Sequence, residues 1–331
     1  MDKLAYFFST SMTAHVFFKE HFLYLKKQNN EIIVVAGQDK FFNSLEEFCK
    51  KNKIKFISFK SIRGYGLNCI SEYLSVAKIA KNLTKMGYTI ITNTPKVSFY
   101  VALFTLFRDK KLIIHYNHGL ACYPANDLSK KIILIIEAFI CSQSKAVIFV
   151  SASMHSWAID NFPNILKYPS FYYLNSIRGV EIPKNRDTSN NKSNKIKLGY
   201  IGRISKAKGF KEFFDIIIKL NSEGHDIECT IAGAIEDENL RPFVDYLDRL
   251  WFCNYLGHIE CVDDFFKNID ILIFPSRREG FGMVALESGA FGVPVIAYDI
   301  HGVRDAVINN STGKLIKRYE VNKMYEQIKL L

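Results

Sequence analysis

The sequence predicts an α/β protein with two doubly wound, Rossmann-like parallel-sheet domains. Three observations support this class. The chain has 331 residues, about the length of two domains, and 48% of them are hydrophobic, which is enough for substantial cores. Short apolar runs typical of strands alternate with helix-like segments, an order that favours parallel sheets with helices on both faces. A polar segment then divides the chain beyond its middle.

The first half of the chain holds five strand-like runs. They are Glu31 to Ala36, Lys55 to Phe59, Thr89 to Thr92, Lys111 to His115 and Ala146 to Ser151. The aromatic and lysine-rich segment from Phe17 to Lys27 predicts an amphipathic helix. Two interpretations of this helix stay open: a core-facing helix with a solvated basic face, which we favour, or a helix that lies on a membrane surface.

The domain boundary is predicted from composition. Residues 183–195 have almost no apolar side chains, and a new strand is expected from Ile196 to Ile201. Linkers between domains are exposed and polar. We therefore expect a first domain over residues 1–182, a linker over 183–195 and a second domain over 196–331.

The most informative segment of the second domain begins with a short apolar run, Ile271 to Phe274, which predicts a buried strand. Gly280 and Gly282 follow it and allow the backbone to approach a ligand closely. Residues 283–290 have the composition of a helix. A helix that begins where such a strand ends attracts phosphate, because its free N–H groups and its dipole favour negative charge.

Two carboxylates flank this helix start, Glu279 and Glu287, eight residues apart. Ligands of open α/β sheets bind outside the carboxyl ends of the strands, which places Glu279 in a crevice with Glu287 further along the helix. Both could accept hydrogen bonds from hydroxyl groups. Taken alone, the pair is equally compatible with two solvated glutamates.

A second strand–turn–helix segment lies upstream, from Lys197 to Phe210, and carries Gly202, Arg203 and Lys208. Arg203 offers a planar fork suited to bidentate phosphate contact, and Lys208 offers a point charge. The two cations together could neutralise a departing diphosphate.

These two segments, Lys197 to Phe210 and Asp270 to Ala297, resemble the donor-site signature of GT-B glycosyltransferases of family GT4. The resemblance implies the GT-B fold, in which two Rossmann-like domains face each other across a cleft. It also implies a nucleotide-sugar site in which Arg203 and Lys208 hold the diphosphate, Glu279 holds sugar hydroxyls and Glu287 holds the ribose. The implied donor-binding residues are Gly202, Arg203, Lys208, Glu279, Gly280, Phe281, Gly282, Met283 and Glu287.

The first half resembles the same family more weakly, in the loops after Thr92 and after His115. The family places a histidine that contacts the donor sugar at the end of such a strand, and His118 is the candidate, with His115 as its rival. Acceptor-side loops are expected at Pro95, Lys96 and Gly119. The resemblance thus implies His118, Glu279, Arg203 and Lys208 as the catalytic set. The first loop, Ser9 to Thr13, lacks the glycine-rich turn of many members.

Charge is distributed unevenly along the chain. Residues 1–180 carry 23 Lys and Arg against 11 Asp and Glu, a net charge of +12, whereas residues 181–331 carry 21 against 22. A basic first domain is compatible with nucleic acid, anionic lipid or an acidic substrate. We expect a membrane surface, and no nucleic acid, as its partner.

Several classes are disfavoured by what the sequence lacks. The longest apolar runs reach about ten residues, short of the roughly 20 that a spanning helix needs. Seven cysteines without a C-x-x-C pair indicate reduced thiols in a cytoplasm. There is no Asp-x-Asp and no metal-ligand pattern, so we expect no cofactor and turnover without metal.

The resemblance to family GT4 implies a retaining glycosyltransferase, and this is the function we predict. Its expected donor is a nucleotide-diphosphate sugar, with UDP-sugar favoured. Its expected acceptor is a lipid-linked saccharide in bacterial O-antigen, capsule or exopolysaccharide assembly, at the inner face of the cytoplasmic membrane. Two alternatives stay open: a non-catalytic or regulatory module that binds sugar nucleotide or lipid, and a GT-B sugar-nucleotide epimerase.

Overall fold

The computed structural model describes residues 2–62, 64, 67–106, 113–122, 128–164, 167–174, 179–183 and 195–330. The chain divides into two compact units, Met1–Arg178 and Gly179–Leu331. The division falls just before the predicted end of the first domain at residue 182. Most of the predicted linker over 183–195 lies outside the described residues.

The described part of unit 1 forms a parallel sheet of seven strands. They are β1 (Lys3–Phe8), β2 (Glu31–Gly37), β3 (Lys55–Phe59), β4 (Thr89–Thr92), β5 (Ile113–Asn117), β6 (Ala146–Phe149) and β7 (Ser170–Tyr173). Their order across the sheet is β3-β2-β1-β4-β5-β6-β7. The order reverses between β1 and β4, so the sheet is doubly wound, as predicted.

Helices cover both faces of this sheet. They are α1 (Ser11–Phe17), α2 (Lys19–Lys27), α3 (Phe42–Lys51), α4 (Ile70–Lys85), α5 (Pro95–Thr105), α6 (Leu128–Ser142) and α7 (Ala152–Asn161). Alternate side chains of β1 enter two separate cores. Phe7 packs in the cluster that includes residues of α4 and α5, and Phe8 packs in the cluster that includes Phe18 and Phe22. Burial on both faces explains why these strands are apolar throughout.

The structure adds to and adjusts the predicted elements of unit 1. Two strands were not predicted, β7 and β1, which lies between β2 and β4. β6 ends before Ser151, because the Ser151 hydroxyl accepts a hydrogen bond from the N–H of Met154 and caps α7. The helix predicted from Phe17 is interrupted at Phe18, whose ring is buried against Phe8, so α2 begins at Lys19.

The described part of unit 2 forms a second parallel sheet, of six strands. They are β8 (Ile196–Ile201), β9 (Ile227–Ala232), β10 (Cys253–Tyr255), β11 (Ile271–Phe274), β12 (Val295–Asp299) and β13 (Gly313–Lys317). The helices are α8 (Phe210–Ser222), α9 (Arg241–Asp248), α10 (Asp263–Lys267), α11 (Met283–Ala290), α12 (Val303–Ala306) and α13 (Val321–Lys329). The predicted bounds of β8, β11 and α11 are confirmed.

The strand order of unit 2 is β10-β9-β8-β11-β12-β13. All of its pairings are parallel, and one buried cluster contains residues from both faces of the sheet. The order reverses between β8 and β11. Segments that leave two such strands diverge to opposite sides, and ligands of doubly wound sheets bind in the crevice between them.

Candidate active site

Both predicted donor motifs flank the point in unit 2 where the strand order reverses. The loop that carries Gly202, Arg203 and Lys208 follows β8, and the loop that carries Glu279 to Gly282 follows β11. The two strands pair directly, at Ile271 with Leu198 and at Leu272 with Gly199. Sheet topology therefore places the two loops side by side, which the sequence spacing alone does not.

The loop after β8 begins in close contact with the loop after β9. Gly202 has a φ of 153°, and a Cβ on Gly233 would lie 1.8 Å from the Gly202 carbonyl oxygen. Arg203 follows, and its guanidinium donates a hydrogen bond of 2.7 Å to Glu236. Both side chains are at least half exposed, so this ion pair contributes little to stability and leaves Arg203 able to change partner.

The loop after β8 ends in a short 3-10 turn, Lys206–Lys208, followed by Gly209 at the start of α8. Gly209 has a φ of 71°, and a Cβ there would lie 2.0 Å from the carbonyl oxygen of Pro275. Only glycine fits this approach without strain. The N–H of Arg277 also donates a 2.9 Å hydrogen bond to the Ala207 carbonyl. These contacts fix the Lys208 backbone against the loop that carries Glu279.

Lys208 and Glu279 form a direct ion pair. The Lys208 ammonium donates to Glu279 Oε1 at 2.5 Å, and the two side chains are only 18% and 13% exposed. A charge-assisted hydrogen bond of this length is among the stronger polar contacts in proteins. The structure thus brings the predicted phosphate ligand and the predicted sugar ligand into one contact.

The backbone after Glu279 turns sharply into α11. Gly282 has a φ of 81° and precedes the first helical residue, Met283. Gly302 approaches Gly280 so closely that a Cβ on Gly302 would lie 2.4 Å from the Gly280 carbonyl oxygen. Phe281 is buried and holds this turn in the core. The start of α11 favours an anion nearby, because the helix dipole places partial positive charge at the first residues of a helix.

Glu287 lies four residues into α11 and is buried, with 9% of its surface exposed. The same helix also buries Ser288, whose hydroxyl donates to the Val293 carbonyl at 2.8 Å. The role in ribose binding that the resemblance gives to Glu287 stays a prediction.

The site contains a second ion pair that the sequence interpretation missed. Arg277 donates through Nε at 2.8 Å and through Nη2 at 2.5 Å to one oxygen of Glu212, and its guanidinium lies over the ring of Tyr319. Glu212 is buried on α8. Burial, reinforced by the nearby Glu212 charge, raises the pKa of the Tyr298 hydroxyl well above its usual range. In the sequence, the signal that could have indicated this ion pair is Glu212, three residues after Gly209.

In unit 1, His118 follows the end of β5. Its Nε2 lies 3.3 Å from the Asn93 amide oxygen, its ring stacks on Tyr116, and its Nδ1 is buried with no hydrogen-bond partner among the described residues. Burial lowers the pKa of His118 to about 4, so the ring is neutral at physiological pH.

The rival, His115, lies within β5. It is buried, with its Nδ1 3.0 Å from the Thr92 hydroxyl. Burial lowers its pKa to about 3, and the nearby His118 adds to this shift. His115 thus has an internal partner inside the sheet. The structure does not assign His118 to a sugar, and that role stays a prediction.

The predicted acceptor-side residues of unit 1 differ in exposure. Pro95 begins α5 and is exposed, and Gly119 donates its N–H to the Asn117 side chain at 3.1 Å. Lys96 instead donates to the buried carboxylate of Glu72 at 2.6 Å, and its own side chain is 12% exposed. Lys96 therefore forms an internal ion pair in unit 1.

Among the described residues, no group of three or more His, Cys, Asp and Glu side chains could hold a metal ion. None of the helices within the described ranges is long and apolar enough to cross a membrane.

Two family descriptions match the chain, one in each unit. "Glycosyltransferase Family 4" matches residues 15–165, and "Glycosyl transferases group 1" matches residues 181–331. With a doubly wound sheet in each unit, these matches define a GT-B glycosyltransferase. The chain belongs to glycosyltransferase family 4, as the two sequence motifs predicted.

Two relatives and the solved structures of a third protein illustrate the range of similarity. The chain is 25% identical over 321 residues to the capsular polysaccharide biosynthesis glycosyltransferase CapM of Staphylococcus aureus, covering 93% of this chain and 82% of CapM. It is 34% identical over 109 residues to the O-antigen biosynthesis glycosyltransferase WclY of Escherichia coli, covering 32% of this chain and 29% of WclY. The crystal structure of Anabaena HepE in complex with UDP matches with a TM-score of 0.71 at 16% identity, over 99% of this chain and 89% of that chain. A HepE complex with UDP-glucose matches with a TM-score of 0.69 at 17% identity, over 98% and 88% of the two chains. Similarity at this identity shows the fold alone.

Proposed function

We propose that this protein transfers a sugar from a UDP-sugar to a lipid-linked saccharide, with retention of anomeric configuration, in the assembly of a bacterial surface polysaccharide. The main observation that supports a donor site here is the Lys208–Glu279 ion pair beside the start of α11. A cation, a carboxylate and helix N–H groups there offer partners for a phosphate and for sugar hydroxyls.

The proposed reaction follows from charge. As the bond between the anomeric carbon and the diphosphate oxygen breaks, negative charge grows on the departing nucleoside diphosphate. Arg203, Lys208 and the first N–H groups of α11 stabilise that charge, and Glu279 holds the sugar through its hydroxyls. The acceptor hydroxyl attacks from the face that the diphosphate leaves. Its proton passes to the diphosphate oxygen as the new glycosidic bond forms.

We propose that these fixed positive groups replace a divalent cation, so that turnover continues in the presence of EDTA. His118 is proposed to contribute to transfer as a neutral imidazole, because burial holds its pKa at about 4. A His118→Ala variant that keeps full activity would remove it from the catalytic set.

The choice of donor and acceptor is supported by the relatives and by charge. HepE binds UDP and UDP-glucose, CapM acts in capsular polysaccharide biosynthesis and WclY in O-antigen biosynthesis. The net charge of +12 over residues 1–180 suits a protein that works at the anionic inner face of the cytoplasmic membrane, where lipid-linked acceptors are held.

A nucleotide-release screen tests this proposal. The purified protein is incubated with UDP-, GDP- and ADP-sugars in EDTA, alone and with a membrane extract as a source of acceptor. We expect release from a UDP-sugar, its loss in Glu279→Ala and Arg203→Ala, and its retention in the control Glu236→Ala, which removes only the exposed partner of Arg203.

The products distinguish the alternatives. The proposal is supported if UDP is released and the sugar is found on the acceptor with the anomeric configuration that it had in the donor. An epimerised sugar nucleotide would indicate an epimerase. Tight binding of the donor without turnover in any extract would indicate a binding module, and absence of binding would refute the site.

A further inference from the structure

Three neighbouring helices of unit 1 form one face that is both apolar and basic. α4 packs against α5, and α5 packs against α6. We call the outer surface of these three helices the α4–α6 face. The donor site and the catalytic residues discussed above do not explain why this face is apolar and basic.

α6 carries an exposed apolar stripe. Leu128, Ile132 and Ile135 are 75%, 52% and 57% exposed. Their spacing of four and then three residues places them on one side of the helix. The side of α6 that faces the core holds Ala138, Ile140 and Cys141 beside the buried Glu137 carboxylate. Because the core-facing side is already packed, the exposed side of such a surface helix is normally polar, and an apolar stripe there is unusual.

The stripe continues onto α5. Phe139, the next residue of the stripe, contacts Phe99 of α5 with ring centroids 6.1 Å apart. Leu103 and Leu106 follow Phe99 at the same helical spacing and are 36% and 41% exposed. The exposed residues of the two helices therefore form one strip that meets at the Phe99–Phe139 contact.

The charges on this face have one sign. α4, α5 and α6 contain two carboxylates, Glu72 and Glu137, and both are buried, the first paired with Lys96 and the second accepting the N–H of Ala121. The exposed charged residues of these helices are all lysines, namely Lys78, Lys81, Lys85 and Lys131.

We propose that the α4–α6 face binds the surface of an anionic lipid bilayer, with the Leu128–Ile132–Ile135 stripe inserted at the boundary of headgroups and acyl chains. Apolar side chains with lysines beside them, and no exposed carboxylate on the three helices, complement such a surface. Lysines near anionic lipid strengthen binding, and interfacial helices bury their apolar face about 5–10 Å deep. This inference rests on the proposed function, for which it names the surface that binds the membrane. Its test does not require sugar transfer.

The test is cosedimentation of the full chain with phosphatidylcholine vesicles and with vesicles containing phosphatidylglycerol as well. Ile132→Asp places a charge in the centre of the stripe. Ile308→Asp is the matched control, because Ile308 is 67% exposed in a loop of unit 2 and undergoes the same change. We expect binding to the anionic vesicles that weakens with salt, falls at least tenfold in Ile132→Asp and is unchanged in Ile308→Asp.

Three outcomes would overturn the proposal. The first is equal binding to both kinds of vesicle, and the second is full binding by Ile132→Asp. The third is self-association through the stripe, in which the native protein does not bind vesicles and forms a dimer that Ile132→Asp dissociates. Circular dichroism and urea unfolding curves that match those of the native protein report that both variants are folded in both units. Vesicle binding without sugar transfer would contradict the proposed function alone, and transfer without vesicle binding would contradict this inference alone.

Discussion

The Lys208–Glu279 ion pair predicts an unusual effect of removing a carboxylate from the donor site. In the unliganded protein Lys208 already has an anionic partner, so a diphosphate must compete with Glu279 for the ammonium. Glu279→Gln keeps the shape of the side chain and removes its charge. We therefore expect the variant to bind UDP more tightly than the native protein, although it transfers sugar more slowly.

The size of the effect follows from burial. Exposed ion pairs contribute about 0.2–1 kcal/mol, and hydrogen bonds to charged groups about 1.5–3 kcal/mol. Side chains that are 18% and 13% exposed lie between these limits. Competition from Glu279 should therefore weaken UDP binding by about 1 kcal/mol, which corresponds to about fivefold in Kd. Loss of a charged contact to sugar hydroxyls should lower kcat/KM by about 10- to 100-fold.

Calorimetric titration with UDP, together with a double-mutant cycle, measures this effect. In a Lys208→Met background the partner is gone, so Glu279→Gln should no longer tighten UDP binding. Glu238→Gln, which removes the charge of an exposed carboxylate of unit 2 that is paired with Arg241, controls for the loss of one negative charge and should have little effect on UDP affinity. Unchanged or weaker UDP binding by Glu279→Gln would refute the competition, as would tightening that persists without Lys208.

Three further predictions concern stability. Gly209→Ala introduces a Cβ 2.0 Å from the Pro275 carbonyl oxygen at a positive φ. We expect the free energy of unfolding to fall by at least about 3 kcal/mol, seen as a fall of roughly 6–12 °C in Tm. Arg277→Met leaves the Glu212 carboxylate buried without its ion-pair partner, so urea unfolding should show a loss of about 3–5 kcal/mol. Adding Glu212→Leu to Arg277→Met should restore most of the lost free energy of unfolding. His118 has a pKa of about 4 in the folded protein, below its unfolded value of 6.5. The stability that its neutral ring provides is complete above pH 6.5 and is lost as pH falls towards 4. The pH dependence of unfolding free energy over that window should therefore be shallower in His118→Gln, by about 1.4 kcal/mol per pH unit. An unchanged pH slope, a native Tm for Gly209→Ala or a stable Arg277→Met would contradict the respective argument.

The sequence by itself determined the architecture of unit 2 and the family. The bounds of β8, β11 and α11 follow from local patterns, because an apolar run bounded by turn residues and a run of helix formers depend only on neighbours in the chain. Gly280 and Gly282 were predicted to allow close backbone approach, and the structure adds that Gly209 and Gly282 have a left-handed backbone.

The elements that the sequence interpretation missed depend on distant packing. β1 lies inside its sheet between β2 and β4, and its place depends on pairing with residues distant in the chain, such as Lys3 with Glu31 and Leu4 with Thr89. The break at Phe18 arises because its ring packs against Phe8 of that strand, a contact that no helical periodicity contains. Tertiary contacts thus overrode the local preference for one continuous helix.

The chemistry of the site was likewise decided by the tertiary structure. Lys208 and Glu279 are 71 residues apart in the chain, and Arg277 and Glu212 are 65 apart. Residue type marked Lys208 and Glu279 as charged groups suited to a donor, but not as partners of each other. They meet because β8 and β11 are adjacent strands at the point where the sheet reverses its order, and only the folded sheet fixes which two loops share that crevice.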